Sequence, residues 1–184
     1  MKLNPKECST LVTIAAISIP AALVLFAVLY FLKRKRTKKT TTVKTTSYKG
    51  LNIIKEFEGY QSKAYQCAAG VWTIGYGHTS GVKEGDTCTK EQADAWLAAD
   101  VQTVENAINA LAISLSQNQF DALVSLGFNI GANALLNSTL IKKAKADPDD
   151  DTIADEFLRW NKVGNTVVNG LTRRRQAEAD LYFA

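Results

Sequence analysis

From Leu11 to Leu32 the chain reads LVTIAAISIPAALVLFAVLYFL, 22 residues without a charge. As a helix at 1.5 Å per residue this run reaches roughly 30 Å, the thickness of a bilayer's hydrocarbon core. One transmembrane helix over 11–32 is therefore expected, after a short tail at 1–10. Pro20 falls mid-span, where a membrane helix tolerates a kink better than a soluble one does. A cleaved signal peptide is the rival reading, with Lys2 and Lys6 as its charged start. The run is too long for the apolar core of such a signal, and basic residues follow it where a small-residue cleavage site belongs.

The next stretch, KRKRTKKTTTVKTTSYKG, has no apolar periodicity and is expected to be a solvated linker over 33–50. It also explains the chain's basic balance. Residues 1–50 hold ten Lys and Arg against Glu7, net +9, whereas 51–184 hold twelve against seventeen acids, net −5, which together give the reported +4. The positive charge belongs to the membrane flank, so nucleic-acid binding is not expected of the domain, and residues 11–39 are expected to meet anionic lipid. A plain stop-transfer flank explains the same charges. Because the basic cluster Lys33–Lys39 outnumbers Lys2 and Lys6, the positive-inside rule places the C-terminal part on the cytoplasmic side.

From Leu51 onward the pattern is that of one globular domain, 51–184, with 46% hydrophobic residues in the whole chain to build a core. Leu51, Ile54 and Phe57 fall at helical spacing, and Gly59 stops that helix just after Glu58. GVWTIGYGHTSG reads as a short hairpin. Thr89 and Gln92 form a capping box that opens a long central helix carrying Trp96, Leu97, Val101, Val104, Ile108 and Leu111 on one face. A second box, Ser116 with Gln119, opens a helix that closes at Gly131, and shorter helices are expected at 138–146, 151–160 and 171–182. The fold class is α+β, mainly α, with one small antiparallel sheet near the start of the domain.

Taken in order, EG before AY, GVWTIGYGHT, QFDALVSLGFNIG, STL, RWNK and GLTRRRQAEADLY resemble the phage-type lysozymes of glycoside hydrolase family 24 over about 51–184. The resemblance implies a lysozyme-like catalytic domain with Glu58, Cys67 and Thr73 as its catalytic residues. Glycosidic cleavage needs an acid that protonates the leaving oxygen while water is activated on the other face of the sugar. Glu58, shielded by a helix end and a hairpin, is expected to stay protonated for that task, and Glu56 points elsewhere. Cys67 stands where the most familiar members carry Asp; a neutral thiol supplies no standing charge, so it orients water, acts as a base, or attacks as a thiolate. Its competing readings are a small buried residue or a disulfide with Cys88. Thr73 is expected to hold the water or support the cysteine, and His78 to link the hairpin to the next helix. Asn129 maps to a position facing the sugar cleft, with helix capping as its alternative. Arg173, Arg174 and Arg175 either meet anionic groups of the substrate or pair at the surface with Asp180 or Asp155, while Phe157 and Trp160 read as core. No cofactor is expected, and no cluster has metal-ligand spacing.

The implied function is a muramidase that cleaves between N-acetylmuramic acid and N-acetylglucosamine in bacterial peptidoglycan, as an endolysin does. A lytic transglycosylase and a membrane-anchored, catalytically impaired peptidoglycan-binding protein are the alternatives. Peptidoglycan lies outside the cytoplasmic membrane, so the expected site of action is the periplasm or wall. The positive-inside conflict is met either by an exported signal-anchored domain or by a partner such as a holin.

Overall fold

Ser47 begins the first helix of the domain. In the computed structural model, which describes residues 43–67 and 69–184, its side chain caps α1 (Tyr48–Glu58) by accepting from the backbone N–H of Gly50. The residues before it are not the solvated end of a linker. Lys44 N–H donates to Asn109 Oδ1 at 3.0 Å while Asn109 Nδ2 returns a bond to Lys44 O at 2.8 Å. Thr46 donates twice to Glu105 Oε1, through N–H and Oγ1, at 2.6 Å each. Ser47 does the same to Asp121, its N–H at 3.0 Å and its hydroxyl to the second oxygen. Gln117 Nε2 reaches Thr45 O at 2.8 Å. The linker expected over 33–50 therefore gives way to a strap from about 43 onward, because the buried acids Glu105 and Asp121 take up its Thr and Ser donors. Residues 1–42, which include the expected span over 11–32, lie outside the described residues. Among the described residues no helix is long and apolar enough to cross a membrane.

Gly59, at φ +72°, ends α1 immediately after Glu58, a conformation that costs glycine little. The chain then enters β1 (Gln61–Gln66), which pairs antiparallel with β2 (Trp72–Gly75); Tyr65 faces Thr73 and Gln66 faces Trp72. The expected hairpin is thus displaced: GVWTIGYGHTSG supplies only its second strand and the tight turn that follows, where Ile74 and His78 exchange both backbone hydrogen bonds at 2.9 Å. β1 is mostly exposed and polar, which leaves no apolar alternation to betray a strand.

The expected long central helix is two helices, α2 (Lys90–Asp100) and α3 (Gln102–Asn109), broken at Val101. The break has a packing cause. α2 lies on β2, whereas α3 lies on α4 (Gln117–Ile130), and the bend lets Leu97, Val101, Val104 and Ile108 all be buried. The capping boxes Thr89–Gln92 and Ser116–Gln119 are both formed. α4 occupies the centre: every residue from Gln119 to Gly127 is buried. It is followed by α5 (Ala132–Asn137), α6 (Thr139–Ala146), α7 (Ile153–Leu158), the two-residue strands β3 (Lys162–Val163) and β4 (Thr166–Val167), and α8 (Asn169–Tyr182). α8 packs on α4, α7 and α1, closing a core with Phe120, Leu123, Leu126, Leu135, Leu140, Phe157 and Tyr182. Phe157 is core as expected, and Trp160 is half-buried against it.

Candidate active site

Glu58 is delivered by the last residue of α1 and held by the far end of the chain. Its Oε1 accepts from Arg174 Nη1 on α8 at 2.8 Å. Its Oε2 turns toward Gly77, where a Cβ would lie 3.8 Å away. The side chain keeps about a quarter of its exposure, at 24%. Arg174 is itself fixed: its Nε donates to Glu178 Oε1 at 3.2 Å, its Nη2 to Ser125 O at 3.4 Å, and its guanidinium lies 5.7 Å from the centre of the Phe57 ring. The carboxyl expected to be shielded by a helix end and a hairpin is also gripped through one oxygen by a guanidinium.

Behind that grip is a buried ionic cluster. Glu178, fully buried, receives Ser125 Oγ at 2.7 Å and Arg175 Nη2 at 3.1 Å on the same oxygen that holds Arg174. Arg175 Nε lies 2.9 Å from the other oxygen. Burial pushes the Glu178 carboxyl up, against the pull of Arg175, Ser125 and Arg174, and burial brings Arg175 down to about 10. The arginine run thus does not form surface pairs with Asp180 or Asp155; Asp180 is taken by Gln176 at 2.9 Å. Burial of two arginines is not visible in a sequence, but the i,i+4 and i,i+3 spacing of Arg174 and Arg175 to Glu178 was the available signal.

Cys67 and Thr73 meet at the other end of β2. Cys67 begins the turn that links the two strands, its carbonyl accepting from Gly70 N–H at 2.8 Å and its own N–H donating to Val71 O at 3.0 Å. The thiol is held below its ordinary value, first by the backbone N–H of Val71, then by that of Ala69, against the opposing effect of burial. Thr73 is buried, and its Oγ1 donates its one proton to Val71 O at 3.0 Å. Cys67 and Cys88 are both free. The disulfide alternative fails on geometry: Cys88 N–H bonds Ser62 O and its thiol bonds Gln61 O, at the opposite end of β1 from Cys67. Five extended residues separate those ends by about 16 Å, far beyond the reach of a disulfide.

His78 Nδ1 lies 2.8 Å from Asp100 at the end of α2, its Nε2 lies 3.1 Å from Ser80 O, and its ring stacks on Trp96 at 4.9 Å. It ties the β2 turn to α2. Asn129 does not cap α4, which runs on to Ile130 and closes at Gly131; its Oδ1 accepts from Arg175 Nη2 at 3.1 Å while the residue itself stays exposed. β2 therefore joins the two halves of the site, with the Cys67–Thr73 pair at its start and the Gly77 turn against Glu58 just past its end. Among the described residues no group of three His, Cys, Asp or Glu side chains is placed to hold a metal ion.

The phage lysozyme family model matches residues 55–178, from just before Glu58 through Glu178. The chain belongs to the phage lysozyme family. It is 46% identical over 141 residues to an endolysin of Acyrthosiphon pisum secondary endosymbiont phage 1, an alignment that covers 74% of this chain and 96% of that protein. The solved structure of an endolysin from Escherichia coli O157:H7 phage FAHEc1 is 43% identical and superimposes with a TM-score of 0.70 over 76% of this chain and 93% of that one. The chain is also 33% identical over 126 residues to a protein of Enterobacteria phage P21 named SAR-endolysin, covering 67% of this chain and 76% of that protein. As a phage lysozyme the protein is a glycoside hydrolase.

Proposed function

We propose that this phage lysozyme is an endolysin-type muramidase in which Glu58 is the general acid and Cys67 with Thr73 handles the water. The observation that carries this reading is the division of labour between the two oxygens of Glu58. Oε1 is pinned by Arg174, which fixes the plane of the carboxyl and leaves Oε2 to carry the proton. That proton passes to the glycosidic oxygen as the bond to the N-acetylmuramic acid C1 breaks, and charge builds on an oxocarbenium-like ring. Water completes the product at C1. Its proton goes to the Cys67 thiolate, whose formation is favoured by the Val71 and Ala69 N–H groups, and Thr73, on the strand beside it, supports the cysteine. Asn129, held by Arg175 and exposed, offers its amide to the N-acetyl groups of the substrate.

Digestion of purified cell walls, followed by reducing-end assay and mass measurement of the released disaccharides, tests this reading. Hydrolysis gives a reducing end and a mass one water above the anhydro product that a lytic transglycosylase would leave. No release at all would favour the impaired binding protein. Glu58→Gln should still bind walls but turn over at least about 10²–10⁴-fold more slowly; near wild-type rates would remove Glu58 from its role.

The apolar run 11–32 serves, in the same reading, as a membrane anchor, and the basic residues up to 39 lie against anionic lipid. Similarity to a protein named SAR-endolysin supports an anchored, exported form, and the substrate's location requires the domain to face the wall. Protease added to intact spheroplasts decides the orientation. Digestion of the domain supports export, whereas protection until detergent is added would favour release through a partner such as a holin.

A further inference from the structure

Glu178 sits behind the guanidinium that grips Glu58. Its Oε1 is shared by Arg174 Nε, Arg175 Nη2 and Ser125 Oγ, at 3.2, 3.1 and 2.7 Å. Glu178 and Arg175 show no exposure, and Arg174 only 4%. Such groups cannot use water to spread their charge, so each must be balanced by a neighbour. The groups that face this cluster are few: Glu58 and Phe57 from α1, Ser125 and Asn129 from α4, and the two arginines on α8. With Glu58 ionised the cluster holds two positive and two negative charges. When Glu58 takes up the proton it needs for catalysis, Glu178 is left as the counterion for both arginines.

We infer that Glu178 is a positioning residue for the general acid, acting through Arg174: its charge offsets the second guanidinium, so that Glu58 can hold a proton in the working pH range. The inference rests on Glu58 being the acid. Without the negative charge, two guanidiniums face a single carboxyl and stabilise its ionised form. Arg175, which touches Glu178 and Asn129 but not Glu58, supplies the opposite perturbation.

The test is the pH profile of turnover on purified peptidoglycan by the full-length chain in detergent, for wild type, Glu178→Gln, Arg175→Gln and the double variant. Glu178→Gln should move the alkaline limb of kcat to lower pH by about one unit, with the KM for walls changed less than about twofold and activity recovered on the acid side. Arg175→Gln should move that limb upward, and the double variant should return it toward wild type. If Glu178→Gln does not fold, the upward shift in Arg175→Gln and its reversal in the double variant still decide the matter. A loss equal at all pH values, with the limb unmoved in every variant, would overturn the inference. Glu58→Gln in the same assay separates the two ideas. If it is inactive while the limb stays fixed in the cluster variants, Glu178 alone loses its role; if it is active, the acid assignment itself is lost.

Discussion

Cys67 is the residue at which this chain's chemistry is most its own. The thiol lies at a turn whose backbone N–H groups, Val71 first and then Ala69, hold it below its ordinary value and so favour thiolate without any neighbouring cation. Three outcomes follow if it activates the water. Cys67→Asp retains lysis; Cys67→Ala loses at least about 10²-fold, as removal of a general base does; and an alkylating reagent inactivates the wild type but spares the Asp variant. Because the thiol is held below its ordinary value, the alkylation rate should rise with pH and level off at a lower pH than for free cysteine. Equal turnover of the wild type and the Ala variant would leave Cys67 as packing. The motif order singled out Glu58, Cys67 and Thr73 together as an expectation. Arg174 and Glu178 were not legible as a site, because an arginine in a helix reads as a surface charge until something shows that it is buried. The contact of Asn129 with Arg175 was not legible, since it joins two residues 46 apart on different helices.

At the scale of elements, local chemistry was a good guide to where helices begin and a poor one to where they bend. Thr89 with Gln92 and Ser116 with Gln119 form the boxes their spacing demands. The break at Val101 has no proline or glycine to announce it and comes from two neighbours asking for two directions. The strand β1 was hidden for the opposite reason: its stability comes from pairing with β2 and not from an apolar face of its own. The same dependence on neighbours governs Gly127, one turn from the end of α4. A Cβ there would lie 2.5 Å from Val104 Cγ1 and 2.9 Å from Leu135 Cδ2, so α3 and α5 approach α4 closely only because the side chain is missing. Gly127→Ala should overpack this crossing and cost about 1–3 kcal/mol, despite alanine's better helix propensity. A lower urea midpoint with an unchanged m value would show it; a gain in stability would mean that the crossing relaxes freely.

For the molecule as a whole, composition and charge separated an apolar, basic N-terminal region from a mildly acidic domain, but they set the start of the domain too late. Polar Thr and Ser before α1 look like linker until Glu105 and Asp121 are known to lie beneath them. A chain begun at Leu51 should therefore unfold at lower urea than one begun at Val43, by about 1–3 kcal/mol for each buried carboxylate left without its donors; identical midpoints would reduce the strap to a passive contact. The strap has a bearing on proteolysis as well. The family match opens at residue 55, yet the hydrogen bonds that complete the interior come from residues 44–47. A nick upstream of Val43 would leave these bonds in place, whereas one between Ser47 and Leu51 would sever the strap from the domain it completes, so five residues outside the family match decide which cuts the hydrolase survives.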